Sequence, residues 1–395
     1  MNVPPGSGDA EGRIAATIHW DGRTISRVDV RSARPLSAVR LLEGRPAPDA
    51  VALAGRLFAV CGRAQRVAAA AAVDAAIGVA EPGSFDAVRE LALAIESARE
   101  HLWHLLLRLP SLLGRAADEV SLRPFARAGA RFERALEATD SAHRTSWPRE
   151  IAQQAIVVAD EVAGLLEHRI LGPVTSEVAL AQSIGDLRAL TDAGGGLASG
   201  WVAAVRGCGA GGDAGSPVRT FTLPDVRDLV DRFAARIAAD DTYAARPTLD
   251  GEAAETGAWA RRVELESVAT PGTVEHRLLA RLAELARLVP EIRGLAAGQQ
   301  RRSRCVNSPV RDGIGIAAVD TARGVLIHQA GVDQGIVRAY RIVAPTEWTF
   351  HPRGALARGL TGITVASEDA ALHSATLYAL MLDPCVPFHA EVRRA

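Results

Sequence analysis

The feature that most constrains this chain is a change of hydrophobic period along its length. From about residue 37 to 205 the apolar residues recur at helical spacing in Ala-, Leu- and Arg-rich segments. These are broken near Pro46, Pro82-Gly83, Pro110, Pro148 and Gly194-Gly195-Gly196. Residues 85–107 carry the strongest stripe, with Val88, Leu91, Ala92, Ile95, Leu102 and Leu105 on one predicted helix face. Short β-branched runs take over at 313–319, 324–329 and 336–343, separated by Gly/Asp turns. They predict a small antiparallel sheet ahead of a last helix over 367–382. At the other end, residues 13–20 and 24–30 flank Asp21-Gly22, a dipeptide suited to the positive φ angles of a type I′ turn, which predicts a hairpin. Two further helices are expected, one N-capped by Thr222 ahead of Val226, Leu229, Val230, Phe233 and Ile237, the other over 273–289. The predicted class is therefore α+β and predominantly helical: a helix bundle with an N-terminal β-hairpin and a small C-terminal antiparallel sheet. A polar tail, 1–12, precedes a single interwoven domain, 13–395, with no internal repeat and no clean linker.

Composition bounds the function classes. A chain of 395 residues with 48% hydrophobic and 23% charged residues can bury a large core and is not disordered. Its 45 basic and 46 acidic side chains give a net charge of −1, which offers nucleic acid no electrostatic footprint. The basic run Arg301-Arg302-Ser303-Arg304 has no interleaved aromatics to stack bases. Four cysteines, Cys61, Cys208, Cys305 and Cys385, are scattered with no C-x-x-C, so neither a disulfide framework nor a structural zinc site is expected. A reducing, cytoplasmic location fits that usage. The start has no secretory pattern, and the longest bland apolar stretch, 67–80, is interrupted by Asp74 and shorter than the roughly 20 residues of a bilayer span. No membrane partner is expected.

Candidate chemistry sits in two short segments at opposite ends, Cys61-Gly62-Arg63-Ala64-Gln65 and Asp383-Pro384-Cys385-Val386-Pro387-Phe388, each with one thiol. A cysteine before glycine is, taken alone, a small buried hydrophobe as readily as a ligand. If both thiols face one site, the two ends of the chain must pack together. His101 and His104 share one face of the strongest helix, where the spacing allows metal ligation, yet the leucines around them predict packing histidines. Gly207-Cys208-Gly209-Ala210-Gly211-Gly212 formally satisfies G-x-G-x-x-G but follows a helical stretch and runs into Asp213 to Pro217, so it reads as a loop and not a dinucleotide turn. Cys208 and Cys305 read as incidental.

The two cysteine segments resemble the metal-binding motifs of NiFe-hydrogenase large subunits, C-G-x-C and D-P-C-x-x-C, in which one thiolate of each pair bridges nickel and iron. Ala64 and Phe388 stand at the bridging positions here. Residues 41–50 and 57–62 resemble the family's G-R-x-P-x-D-A stretch leading into R-I-C-G-x-C, with Ala59 in place of the motif arginine and Ala68 in place of the downstream histidine. Residues 255–261 are similar to E-V-G-P-L-A-R, 308–313 to the A-P-R-G turn and 344–349 to V-P-T-T-W-N. The resemblance covers nearly the whole chain. A fold kept while the bridging ligands are lost is the pattern of the HupK/HoxV-type hydrogenase maturation proteins.

That resemblance implies a non-enzymatic scaffold that transiently holds the Fe(CN)2(CO) fragment on Cys61 and Cys385, with no nickel. Arg311, Thr346 and the backbone after Pro345 would hold the cyanides. The implied partners are the hydrogenase pleiotropic maturation proteins, as donors, and the apo large subunit, as acceptor. An electropositive pocket would depress the cysteine pKa values. Glu391 stands at the sixth residue after Cys385, where large-subunit precursors carry a histidine, so nickel-dependent processing is not expected. A metal-free chaperone that mimics the large subunit is the alternative, and an H2-converting enzyme would need the bridging ligands that Ala64 and Phe388 cannot supply.

Overall fold

The computed structural model describes residues 12–33, 36–79, 86–139, 149–207, 217–240, 242–266, 272–299 and 302–394. The predicted breaks at Pro82-Gly83 and Pro148, the loop with Cys208, and all of the polar tail except Gly12 lie outside them. The hairpin forms from strands Ile14–Trp20 and Ile25–Ser32. Its connection differs from the expected type I′ turn. Gly22 has φ 98 but Asp21 is not in the positive-φ region, because the Asp21 carboxylate accepts the N–H groups of Arg23 at 2.8 Å and Thr24 at 2.6 Å and so builds the turn from its own side chain. A third strand, Phe388–Arg394, lies parallel to Ile14–Trp20 through its whole length. The first and last strands of the described chain therefore share one sheet.

Behind this sheet the long helices assemble around Val274–Ala296, most of whose residues are buried and whose start is closed by a capping box between Thr273 and His276. This helix passes through Pro290 instead of stopping at 289 as expected. Pro290 removes one donor, but burial of Ile292, Leu295 and Ala296 beyond it outweighs the loss. The predicted stripe helix runs as Ala87–Trp103, N-capped by Asp86, then widens into a π-helical turn, His104–Arg108, before Leu109–Leu112. All six expected stripe residues are buried. The N-cap of the Val226 helix is Asp225 and not Thr222, since the Asp225 carboxylate directly precedes the first helical residue and accepts the N–H of Asp228 at 2.8 Å.

The small sheet has four antiparallel strands, Cys305–Arg311, Ile314–Thr321, Gly324–Asp333 and Ile336–Val343. One face is covered by the alanine-rich helix Gly62–Ala76, the other by Phe221, Phe233 and Trp348. The helix approaches so closely that a Cβ on Gly315 would lie 2.2 Å from the carbonyl oxygen of Ala72. A run of alanines facing a glycine is what permits that distance. Among the described residues no helix is long and apolar enough to cross a membrane.

Candidate functional site

Cys61 ends a short 3-10 turn, Ala59–Cys61, and immediately precedes the helix Gly62–Ala76. Gly62 is required by the crossing of this helix with Ala47–Leu57: a Cβ there would meet the Gly55 carbonyl oxygen at 2.7 Å. The orphan N–H groups at the helix start are satisfied from a distant element. The buried carboxylate of Glu96 accepts from Arg63 N at 2.8 Å and Ala64 N at 2.9 Å. Burial outweighs the nearby Arg99 and these two bonds, and raises the Glu96 carboxyl to about 7.

One turn into the helix, Gln65 donates from Nε2 to Cys61 Sγ at 3.5 Å and accepts at Oε1 from His328 Nε2 at 3.0 Å. Tyr340 OH lies 2.8 Å from His328 Nδ1. Burial lowers His328 to about 3, so the ring is neutral and only one of its nitrogens carries a proton. The chain is therefore directional: Tyr340 donates to His328 Nδ1, His328 Nε2 donates to Gln65, and the Gln65 amide is left pointing its N–H at the thiol.

Cys385 is placed by the stop of the last helix, Glu368–Leu382. Asp383 takes the left-handed conformation at φ 55, a region that Asp tolerates better than most residues, and Pro384 bars continuation. The Asp383 carboxylate is buried among three guanidinium groups and an imidazole. It accepts from Arg108 Nη1 at 2.7 Å and Arg281 Nη1 at 3.3 Å, with Arg323 Nε at 3.4 Å and His104 Nδ1 at 3.5 Å, and is held well below the usual carboxylate range despite its burial. Beyond it, Thr346 Oγ1 donates to Cys385 Sγ at 3.1 Å and accepts from Cys385 N at 3.4 Å. Thr346 is set there by the short helix Pro345–Thr349, which Pro345 starts.

The two thiols are half-buried, and Cys385 lies close enough to oppose ionisation of Cys61. Burial first, then Cys385 and Glu96, push the Cys61 thiol up to about 12, against the smaller pull of Gln65 and Arg323. The expected depression of Cys61 is therefore not found: the pocket is too dry, and its acidic neighbours outweigh its one close guanidinium. Among the described residues no group of three or more His, Cys, Asp or Glu side chains could hold a metal ion. Of the two positions that the resemblance aligns with bridging cysteines, Ala64 is buried inside the helix and Phe388 opens the strand beside Ile14, its ring 6.4 Å from that of Phe350.

The guanidinium facing the thiols is that of Arg323, in the turn before Gly324. It donates to the Asp383 carbonyl at 3.1 Å, pairs with Glu100 at 2.9 Å, and its charge is favoured by Asp383, Glu100, Cys385 and Cys61. Arg311 lies elsewhere, exposed at the end of an outer strand where the register shifts between Pro309 and Arg311. The signal for Arg323 was present in the sequence: Arg323-Gly324 reproduces the last two residues of A-P-R-G between two predicted strands. Residues 308–311 instead extend the sheet.

His101 and His104 are buried at this hub. His101 Nδ1 lies 3.1 Å from Arg281 and Nε2 3.1 Å from Glu284, a pair of contacts that a neutral ring makes by accepting on one side and donating on the other. Burial lowers both histidines, His104 to about 3. Arg261, from the 255–261 block, holds Glu284 and Asp320, so this block supports the hub from outside and does not touch the thiols. Cys305 is buried, its thiol raised to about 12 by desolvation.

This fold, closed around two thiols from opposite ends of the chain, is that of the hydrogenase large subunit. Solved structures that share it include the Ni-Fe-Se hydrogenase from Desulfomicrobium baculatum, at 14% identity and TM-score 0.58 over 93% of this chain and 95% of that one. An NAD+-reducing NiFe-hydrogenase matches at 18% identity and TM-score 0.56 over 92% and 93%. At such identities the likeness establishes the fold alone. No protein-family profile matches the chain. Sequence relatives are more specific: the hydrogenase expression/formation protein HupK of Rhizobium leguminosarum bv. viciae is 32% identical over 96% of this chain and 98% of its own length. HoxV of Cupriavidus necator, with the same description, is 31% identical over 92% of each. The chain belongs to the HupK/HoxV family of hydrogenase expression/formation proteins.

Proposed function

We propose that this chain is a non-enzymatic, cytoplasmic scaffold of hydrogenase maturation whose cargo is the Fe(CN)2(CO) fragment. The observation that carries the reading is the convergence of Cys61 and Cys385 on one pocket with the Thr346 hydroxyl and the Arg323 guanidinium, while both bridging positions hold carbon side chains. Soft sulfur donors suit iron that already carries cyanide and carbonyl. Cyanide nitrogens are anionic acceptors, matched by a fixed guanidinium, a hydroxyl and the backbone after Pro345. Arg323 takes the part first assigned to Arg311.

A thiol raised to about 12 must give up its proton to the medium when iron binds and recovers it when iron leaves. That linkage weakens retention, which favours a transient holder that receives the fragment from the hydrogenase pleiotropic maturation proteins and passes it to the apo large subunit. The same protonated thiol, together with Thr346 already satisfying Cys385, favours a second reading: a metal-free chaperone that mimics the large subunit. Iron quantification on protein purified anaerobically from a host expressing the maturation set separates them. Near-stoichiometric iron, lost in Cys61→Ala and in Cys385→Ala, supports the scaffold. Iron-free protein that still binds the apo large subunit supports the chaperone.

A further inference from the structure

We infer that the outer face of the helix Glu119–Thr139 is a docking surface for an acidic protein segment. The inner face of this helix, built on Leu122, Phe125, Phe132 and Leu136, is buried in the bundle beside Arg149–Leu165. The outer face carries Arg123, Arg127, Arg131 and Arg134, all exposed. Their spacing of four, four and three residues places them in one sector of about 80° along roughly 16 Å of helix. None of the four has an ionic partner among the described residues. The helix's own Glu133 and Glu137 are turned aside to Arg63. Ala126 and Ala130, also exposed, leave the guanidinium groups uncrowded.

The chain's charges balance overall and many of its arginines, such as Arg89, Arg261 and Arg277, are held by carboxylates, whereas these four stand together in one row. Like charges four residues apart destabilise a helix, and here nothing in the described structure relieves them. An external anion does. The chemistry selects a protein. No exposed residue of the helix is aromatic, so bases would find nothing to stack on, and apart from Val120 its large apolar residues are already spent in the core, so a bilayer would gain little to bury. Carboxylates repeating at i and i+4 on a partner helix match the spacing and the forked donors of the row. Location adds to the case: Arg63, which ties this helix to the cysteine helix through Glu133, lies two residues after Cys61, so a docked partner sits one ion pair from the thiol-bearing segment. The inference stands whether or not iron is bound.

The test is fluorescence anisotropy of the purified chain with a labelled helical peptide bearing glutamates at i, i+4 spacing. Parallel arms use its glutamine counterpart, a short single-stranded DNA and phosphatidylserine vesicles. Binding of the glutamate peptide should be saturable, fall as salt rises, and weaken about tenfold or more in Arg127→Glu/Arg131→Glu. That variant should fold about as stably as the parent, because it makes the 123–127 and 131–134 pairs attracting while the 127–131 pair stays like-charged. Absence of peptide binding, binding unchanged by the variant, or tighter Arg-dependent binding of the DNA or vesicles than of the peptide overturns the inference.

Discussion

Replacing Glu96 with glutamine should reshape the pH dependence of stability in a way that no surface substitution does. In the folded chain the carboxyl sits at about 7, chiefly through burial, against an ordinary value of 4.5. Below about pH 4.5 it is protonated in both folded and unfolded states, and the shift has no effect. Between 4.5 and about 7 the unfolded chain ionises first, so folding loses stability as pH rises. The displacement corresponds to about 3 kcal/mol, fully expressed above pH 7. Glutamine abolishes this slope. It also keeps only one acceptor for the two N–H groups of Arg63 and Ala64, which leaves one buried donor unsatisfied at about 1–3 kcal/mol. Glu96→Gln should thus be less stable than the parent at pH 5 and comparable to it or more stable at pH 8. Urea unfolding at intervals from pH 5 to 8.5 measures both, and the difference between the two chains cancels the titrating groups that Glu96 does not touch. A difference that stays constant to within about 0.5 kcal/mol across that range would refute the assignment of Glu96 as a buried, strained cap of the cysteine helix.

Gly62→Ala should destabilise the chain by about 1–3 kcal/mol, read as a lowered urea midpoint, because its Cβ enters the carbonyl of Gly55. Arg323→Gln should lower the iron content of anaerobically purified protein, whereas Arg311→Gln, on an exposed strand end, should leave it unchanged; equal effects would return the cyanide-facing role to an open question. Cys305→Ala should retain iron while Cys385→Ala loses it, since only the latter thiol lies in the pocket with Cys61. Gln65→Leu should leave Cys61 without its donor and orphan His328 Nε2, at about 1–3 kcal/mol in stability.

What the sequence exposed and what it concealed divide along physical lines. The hairpin is legible because its first strand buries alternate residues and so writes a period of two, the stripe helix because its apolar residues recur at helical spacing, and the late sheet because its buried β-branched runs are punctuated by Gly/Asp turns. The ends of elements are less so: Pro290 reads as a stop, yet the packing of Ile292 and Leu295 carries the helix past it. Cys61, Cys385 and Thr346 could be singled out because their local motifs are distinctive. The support around them is different in kind. Glu96 caps a helix 32 residues away in the chain, and His328 reaches Gln65 across 263 residues. No local pattern encodes such a partner. Arg311 was singled out because residues 308–313, with a proline ahead of the arginine, are similar to the A-P-R-G turn. In the fold Pro309 lies exposed in an outer strand, a position where its missing N–H is tolerated. The raised Cys61 thiol was equally unreadable, since desolvation belongs to the assembled pocket and not to the residues beside the cysteine.

The measurement that bears most directly on the central claim is infrared spectroscopy of the chain purified anaerobically from cells expressing the complete hydrogenase maturation set. The account predicts cyanide and carbonyl stretching bands in the parent chain that are absent from Cys385→Ala folded to the same stability. A parent chain without such bands, stably bound to the apo large subunit, would contradict the cargo assignment and leave a metal-free chaperone.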